Sequence, residues 1–454
     1  MLSEGKNKLF GTDGIRGVAN RYPLTIENVV RIGQAAAYFL RKKRDKPRVV
    51  IGQDTRLSGY LLESALTAGF CSMGGEPILA GIIPTPGIAY LTRSMRADAG
   101  IVISASHNPY QDNGIKFFSS KGSKLPDEVE AEIEQLVLSD TLNDVPLPID
   151  EIGQGKRISD AVGRYTVFLK ETFLRERDLS GLKIVLDCAH GAAYEVAPQV
   201  FEELGAEVVL IGAKPTGKNI NKDCGSTHAD LVAAMVKEER ADLGIALDGD
   251  ADRAIMVDEH GHILDGDYLM AICARYLQEE GKLAGNTLVA TVMSNIGLEL
   301  GLKRYGIQIV RTGVGDRYVA ERMLRDGFKL GGEQSGHIIF QDLNSTGDGI
   351  LTALQVLSVM VKRNESLSAL SHIMEKYPQI LCNVRVRERR ALDAVPDLAR
   401  LIKDVEQKLG ESGRILVRYS GTEPLLRIMI EGEDEQKITS YAGMIQDMAI
   451  QKLV

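Results

Sequence analysis

The sequence predicts an α/β protein: three similar α/β domains with mixed, largely parallel sheets, followed by a smaller C-terminal α+β domain. Three observations carry this. The chain has 454 residues, too many for one hydrophobic core. A short β-branched run, a polar or glycine-rich turn and an amphipathic helix recur in that order along its first three quarters. From Tyr377 onward the order becomes strand, helix, strand, strand, helix. Alternating strands and helices imply βαβ units with parallel pairing, whereas consecutive strands imply hairpins.

The first unit is Arg48-Val49-Val50-Ile51-Gly52-Gln53-Asp54, with a helix expected from Gly59. An earlier helical pattern begins near Thr25 and closes on Arg41-Lys42-Lys43-Arg44. Cations favour a helix C-terminus, so this basic run is expected to be a solvated helix end. The second unit is Lys183-Ile184-Val185-Leu186-Asp187, followed by Cys188-Ala189-His190-Gly191-Ala192 and a helix. The third is Thr287-Leu288-Val289-Ala290-Thr291-Val292, followed by Ser294-Asn295-Ile296-Gly297. Residues 136–155 are acidic and carry Pro146 and Pro148, which marks a connection. In the tail, strands are expected at 381–386, 414–419 and 426–431, with a helix at 395–409. The expected domains are 1–150, 156–256, 257–374 and 377–454.

Composition narrows the function. Apolar residues make up 44% and charged residues 26%, the balance of a soluble globular protein. The net charge of −8 and the absence of Trp argue against nucleic-acid binding, which relies on excess Lys and Arg and on aromatic platforms. No apolar run approaches a membrane span, and the N-terminus lacks a signal-peptide pattern. Five scattered cysteines, odd in number and never spaced as C-x-x-C, fit reduced cytoplasmic thiols.

Four polar constellations carry chemistry. In Ile101-Val102-Ile103-Ser104-Ala105-Ser106-His107-Asn108-Pro109, an apolar strand feeds a polar loop, which puts Ser106 where α/β sheets place ligands. A plain polar turn is the competing reading, and the Gly-x-Ser-x-Gly elbow of hydrolases is missing. In Leu247-Asp248-Gly249-Asp250-Ala251-Asp252-Arg253, three carboxylates at alternate positions share one face if the segment is extended. Close like charges of this kind call for a cation, and oxygen-only ligands suit Mg²⁺; a solvated acidic loop or a calcium site is the alternative. In Gly331-Gly332-Glu333-Gln334-Ser335-Gly336-His337, glycines flank polar groups, which gives a flexible loop able to hydrogen-bond a polyol, or simply a tight turn between strands. In Val417-Arg418-Tyr419-Ser420-Gly421-Thr422-Glu423-Pro424, with Arg427 beyond, hydroxyls, backbone N–H groups and guanidiniums suit an oxyanion, and a structural hairpin is the alternative.

With Phe10-Gly11-Thr12-Asp13-Gly14-Ile15-Arg16-Gly17 at the start, these motifs resemble the α-D-phosphohexomutase superfamily over essentially the whole chain and in the family's order. Gly-Thr-Asp-Gly-Ile-Arg-Gly, Ile-Ser-Ala-Ser-His-Asn-Pro and Gly313-Val314-Gly315-Asp316-Arg317-Tyr318-Val319 set it beside bacterial members acting on an amino sugar. The resemblance implies four domains arranged around a central cleft. It implies a phosphoryl group on Ser106, and Mg²⁺ held by Asp248, Asp250, Asp252 and that phosphate. Glu333 and Ser335 would hold sugar hydroxyls; Arg418, Ser420, Gly421, Thr422 and Arg427 would grip the phosphate that is not reacting. Lys116 and His337 are the acid/base candidates, and Arg16 and His107 are expected to stabilise charge, with orientation of the loop by hydrogen bonding the alternative for His107. Ala251 stands where the family often has Gly, so the loop is expected to use a conformation that alanine accepts without positive φ.

The implied reaction is an intramolecular phosphotransfer between glucosamine 6-phosphate and glucosamine 1-phosphate through a 1,6-bisphosphate. Glucosamine or glucose 1,6-bisphosphate would be the activator. The expected partners are a small-molecule sugar phosphate and at most a second copy in a homodimer, with no nucleic acid and no membrane. Action on neutral hexose phosphates is the nearest alternative. A magnesium phosphatase would use an aspartate nucleophile, and a non-catalytic sensor would have no need of both Ser106 and the aspartate triplet.

Overall fold

Arg48–Gln53 has four consecutive apolar or glycine positions and is buried on both faces, as a central parallel strand must be. Val49 and Ile51 enter a core shared with the helices Ile26–Arg41 and Gly59–Ser72. On the other face, Gly52 lies against Ile88 of the helix Thr85–Ser94. The first sheet runs in the order Phe10–Gly11, Gly14–Val18, Asp112–Ser119, Ala99–Ile103, Arg48–Gln53, Glu76–Ile82, Lys156–Arg157. Its last four strands are mutually parallel and the others antiparallel. The structure is a computed structural model that describes residues 8–11, 13–143, 145, 149–420 and 424–454.

The second sheet has the order Ile263–Leu264, Ala254–Asp258, Leu243–Leu247, Lys183–Asp187, Glu207–Ile211, with its last three strands parallel. The third has the order Gln308–Thr312, Thr287–Thr291, Leu330–Gly332, Ile338–Phe340. The fourth is antiparallel, Gln379–Arg385, Leu425–Gly432, Gly413–Tyr419, and is covered on one face by the helices Pro396–Leu409 and Glu435–Leu453. This is the α/β-plus-α+β class that the patterning predicts. Among the described residues, no helix is long and apolar enough to cross a membrane.

Two details differ from the boundaries expected from sequence. Lys156–Arg157 is an edge strand of the first sheet, and Ala254–Asp258 with Ile263–Leu264 belongs to the second. The chain also divides into two compact units, Met1–Val292 with Val310–Ser371, and Met293–Ile309 with His372–Val454. Within the smaller unit, the helix Ile296–Lys303 is tied to the C-terminal module. Glu431, fully buried, accepts from Ile296 N at 3.2 Å and from Gln379 Nε2 at 2.8 Å, and pairs with Arg414. A carboxylate at a helix N-terminus suits the helix dipole. Asn295 caps the same helix through Gly297 N at 2.9 Å and accepts from Tyr377 N at 3.0 Å.

The tightest helix contact in the first domain is made by two glycines. A methyl group on Gly69 would press into the Val30 carbonyl oxygen, and one on Gly33 into that of Leu66. Backbone meets backbone there, so neither helix can yield by a rotamer change. We expect Gly69→Ala to lower stability by about 2 kcal/mol, overriding the ~1 kcal/mol helix preference of alanine. Urea denaturation checks this: an unchanged or raised midpoint would contradict the backbone contact.

Candidate active site

Parallel strands deliver the polar loops to one place, at their C-terminal ends. Ile103 leads into Ser104–Ser106, Gln53 into Asp54–Arg56, Ile82 into Thr85, and Leu247 into Asp248–Asp252. Ser106 is 1% exposed, and its Oγ donates to Asp248 Oδ2 at 2.6 Å. Its φ is +50°, a left-handed conformation that costs a non-glycine residue roughly 1–3 kcal/mol. The surroundings hold it there. Ser106 N donates to Ser104 Oγ at 2.9 Å, and Ser104 Oγ donates to Asp54 Oδ2 at 2.7 Å. Asp54 in turn pairs with the fully buried Arg56 at 2.8 Å.

The three aspartates converge, though not by the strand alternation expected from sequence. Residues 249–252 form a turn, and Ala251 takes φ +55°. The expectation that alanine would avoid positive φ is therefore overturned. Four backbone bonds fix the turn from within and without: Ala251 N to Asp248 O (3.0 Å), Ala192 N to Gly249 O (2.8 Å), Thr85 N to Asp250 O (3.0 Å) and Gly349 N to Ala251 O (2.9 Å). These outweigh the cost of the alanine. One oxygen from each aspartate lies within 4.8 Å of the others, and all three residues are buried. Asp250 Oδ1 and Asp252 Oδ1 have no hydrogen-bond partner among the described residues. Burial, reinforced by Asp252 and Asp250, drives the Asp248 carboxyl well above the usual carboxylate range. Orphaned oxygens and mutual repulsion together fit a divalent cation with oxygen ligands.

Around the triplet runs a chain of alternating charges. Lys116, on a strand whose Ile115 and Phe117 face the core, reaches Asp250 Oδ2 (3.0 Å), Asp13 Oδ2 (3.3 Å) and Asp252 Oδ2 (3.8 Å). Asp13 also pairs with Arg16 and Lys124, and Lys124 pairs with Asp316 at 2.7 Å. His337 closes the chain, with Nδ1 3.5 Å from Asp252 and Nε2 3.5 Å from Asp316. Burial works against the charge on Lys116, but Asp13, Asp250 and Asp252 raise its pKa far above the ordinary lysine value. It is thus a fixed cation, a poor fit to the proton-carrying role expected of it. For His337, burial is outweighed by Asp252, Asp316 and Glu333, which raise its pKa to about 9. Gly347 N, 3.1 Å from Nε2, favours the singly protonated ring, but one peptide dipole is weaker than three carboxylates. His107 goes the other way: burial first, then Arg253 and Arg16, lower it to about 4. His107 Nδ1 lies 3.4 Å from Ser106 Oγ, a contact that fits the loop-orienting alternative better than charge stabilisation.

Residues 333–337 form a firmly held turn between the antiparallel strands Leu330–Gly332 and Ile338–Phe340, the tight-turn alternative of the sequence rather than a flexible loop. Gly266 N donates to Gln334 O (2.9 Å) and Ala254 N to Gly336 O (3.2 Å). Glu333 accepts from Gly315 N at 3.0 Å, and Ser335 Oγ is buried without a partner among the described residues. In the C-terminal module, Arg418 and Arg427 are directly opposed across neighbouring strands. Burial and then the Arg427 charge lower the pKa of Arg418, an arrangement that an anion relieves. Ser420 is buried beside them; Gly421 and Thr422 lie outside the described residues.

Sequence reasoning missed Thr85, whose Oγ1 donates to Asp250 Oδ2 at 2.7 Å, and it quoted Asp13 and Asp316 without assigning them a role. It also passed over Lys124, Arg56 and Asn221. The only signal was charge or amide in stretches that otherwise read as turns, in Asp54-Thr55-Arg56 and in Asn219-Ile220-Asn221.

Residues 7–144, 164–261 and 265–377 match the phosphoglucomutase/phosphomannomutase alpha/beta/alpha domains I, II and III, and residues 381–448 match the C-terminal domain. The phosphoglucosamine mutase of Citrifermentans bemidjiense is 60% identical, with 98% of each chain covered. That of Desulfotalea psychrophila is 55% identical, over 97% of this chain and 98% of the other. Among solved structures, a phosphoglucomutase/phosphomannomutase family protein from Burkholderia thailandensis superposes with a TM-score of 0.80 at 22% identity, covering 97% and 96% of the two chains. Aspergillus fumigatus N-acetylphosphoglucosamine mutase, in complex with GlcNAc-6P and magnesium, gives 0.71 at 19%, covering 99% and 97%. The two structures share the fold. The relatives, alike along nearly the whole length, go further: the chain belongs to the phosphoglucosamine mutase family of the α-D-phosphohexomutases.

Proposed function

We propose that the chain interconverts glucosamine 6-phosphate and glucosamine 1-phosphate, with Ser106 carrying the phosphoryl group and a hexosamine 1,6-bisphosphate as intermediate. The observation that carries this reading is the 2.6 Å contact of Ser106 Oγ with Asp248, beside Oδ1 atoms of Asp250 and Asp252 that accept no hydrogen bond among the described residues. A hydrolytic serine needs a base; a phosphorylated serine needs cation ligands next to it, and those are what surround Ser106. Asp248, Asp250 and Asp252 would hold Mg²⁺, which when bound neutralises charge on the transferring phosphoryl group.

In the first transfer, a sugar hydroxyl oxygen bonds to phosphorus as the bond from phosphorus to Ser106 Oγ breaks, and the hydroxyl proton leaves. The second transfer reverses these changes at the other end of the sugar. His337 is assigned the proton transfers: in its neutral form the ring takes the hydroxyl proton, and the imidazolium so formed gives a proton to the sugar oxygen released in the second transfer, while Lys116 stays a fixed positive charge and Arg16 is assigned charge stabilisation. Glu333 and Ser335 are assigned the sugar hydroxyls. Arg418, Ser420 and Arg427, with Gly421 and Thr422, are assigned the phosphate that is not reacting; anchoring it orients the reacting hydroxyl. Glucosamine or glucose 1,6-bisphosphate is the proposed activator that loads Ser106. A variant of the Aspergillus enzyme has been solved with glucose 1,6-bisphosphate, which supports this choice. We place the protein in the cytoplasm, a setting in which its five free thiols stay reduced.

Intact-protein mass spectrometry should find one added phosphate on a fraction of the wild type and none on Ser106→Ala, whose mutase activity should be nearly abolished. An unmodified and fully active wild type needing no bisphosphate would sink the mechanism. On the same wild-type preparation, kcat/KM should favour glucosamine 6-phosphate over glucose 1-phosphate and mannose 1-phosphate. A clear preference for a neutral sugar would reject the substrate assignment.

His337 also sets a pH dependence. Its folded pKa, about 9, lies above the ordinary 6.5, so its contribution is complete below about pH 6.5 and is lost as pH rises through 9. The full contribution is on the order of 3 kcal/mol. In metal-free protein, His337→Asn should therefore flatten the fall in melting temperature between pH 7 and 9.5. Parallel wild-type and variant curves would exclude a strongly raised pKa.

A further inference from the structure

We propose that Asn221 is a positioning residue for phosphoryl transfer, its side-chain amide holding the Ser106 loop in the one conformation that aims Oγ at the aspartate loop. The inference rests on the reading of Ser106 as phosphoryl carrier. Two carbonyl oxygens, those of Ser106 and Asn108, are gripped from two sides. One Arg56 guanidinium nitrogen donates to both at 2.8 Å. Asn221 Nδ2 donates to the same two at 2.8 and 3.1 Å.

The two grips differ in what they tie together. Arg56 is bonded through Asp54 to Ser104, so it fixes the loop to its own sheet. Asn221 comes from the second sheet's side, where its backbone N–H donates to Ala189 O at 2.9 Å, just past the strand Lys183–Asp187. It is only 9% exposed. Gly249 of the aspartate turn packs directly beneath: a Cβ there would meet both Asn221 Nδ2 and Ser106 O at 2.7 Å. The amide is therefore wedged between the serine loop and the aspartate turn, and it sets their separation.

Timing makes this matter. While the phosphoryl group is on the sugar, Ser106 has lost the charged group that would engage a cation among the aspartates. Its left-handed conformation must then be kept by protein contacts until the other phosphate arrives. Without the amide the loop can relax, and the bisphosphate has time to leave before Ser106 is rephosphorylated.

Asn221 itself has φ +57°, so the test uses replacements that accept that conformation. Asn221→Gly removes the amide at no backbone cost, and Asn221→Asp keeps shape and size but turns a carboxylate oxygen toward two carbonyls. Both should lower kcat by about 100-fold, with KM for glucosamine 6-phosphate changed less than about threefold. Both should also depend more strongly than wild type on added glucose 1,6-bisphosphate and show less phosphoserine by intact mass. Activity within about twofold of wild type in either variant would overturn the proposal. So would a loss that follows a fall in melting temperature, with the kcat-to-KM split absent, because that is the pattern of a structural role. A wild type without mutase activity or phosphoserine would instead defeat the underlying assignment of Ser106.

Discussion

Three carboxylates, each no more than 6% exposed and with oxygens within 4.8 Å of one another, are the constraint around which this protein is built. Buried like charges repel strongly, because little water is present to screen them. Lys116, Arg253 and His337 answer part of that charge directly. Cations packed so closely would in turn repel each other, and Asp13 and Asp316 separate them, with Lys124 between the two. The alternation spreads outward until solvent takes over. A phosphate on Ser106 would add roughly −1.5 to −2 charges to this pocket, which is why the Asp250 and Asp252 oxygens that accept no hydrogen bond among the described residues point to a bound cation.

The second organising fact is conformational. Ser106, Ala189, His190, Asn221 and Ala251 all take positive φ although none is glycine. They cluster where strands end and loops meet, and each is held by backbone or buried side-chain bonds. Strain of this kind persists only when its surroundings over-determine it, and it gathers at sites that must present a group in one direction. Here the parallel strands bring the loops together, and the bonded loops then aim the side chains.

Much of this was legible in the sequence. The strand at 183–187 is found where the apolar run predicts it, and the tail's strand–helix–strand–strand–helix order holds, because both depend on local periodicity. The proximity of Ser106 to the aspartates was implied by family resemblance and is visible in the geometry. The details that escaped are those set by long-range contacts. Ala251 in a left-handed turn depends on partners at Ala192, Thr85 and Gly349, all distant in sequence. The neutrality of His107 and the fixed charge of Lys116 depend on burial and on neighbours from other loops. Asn221 carries no motif, since an amide's meaning lies in what it faces.

The attachment of the helix Ile296–Lys303 to Glu431 bears on how the chain can be cut. Its sequence lies inside the third α/β segment, yet its N-terminus is satisfied by a carboxylate more than a hundred residues later. A fragment begun at Tyr377 would strip Glu431 of Asn295 and Ile296 and leave a fully buried acid facing the gap. Recombination between relatives meets the same obstacle. A swapped C-terminal module must bring a partner for that helix, so residues 293–309 and 372–454 form one inheritable piece even though the gene writes them apart.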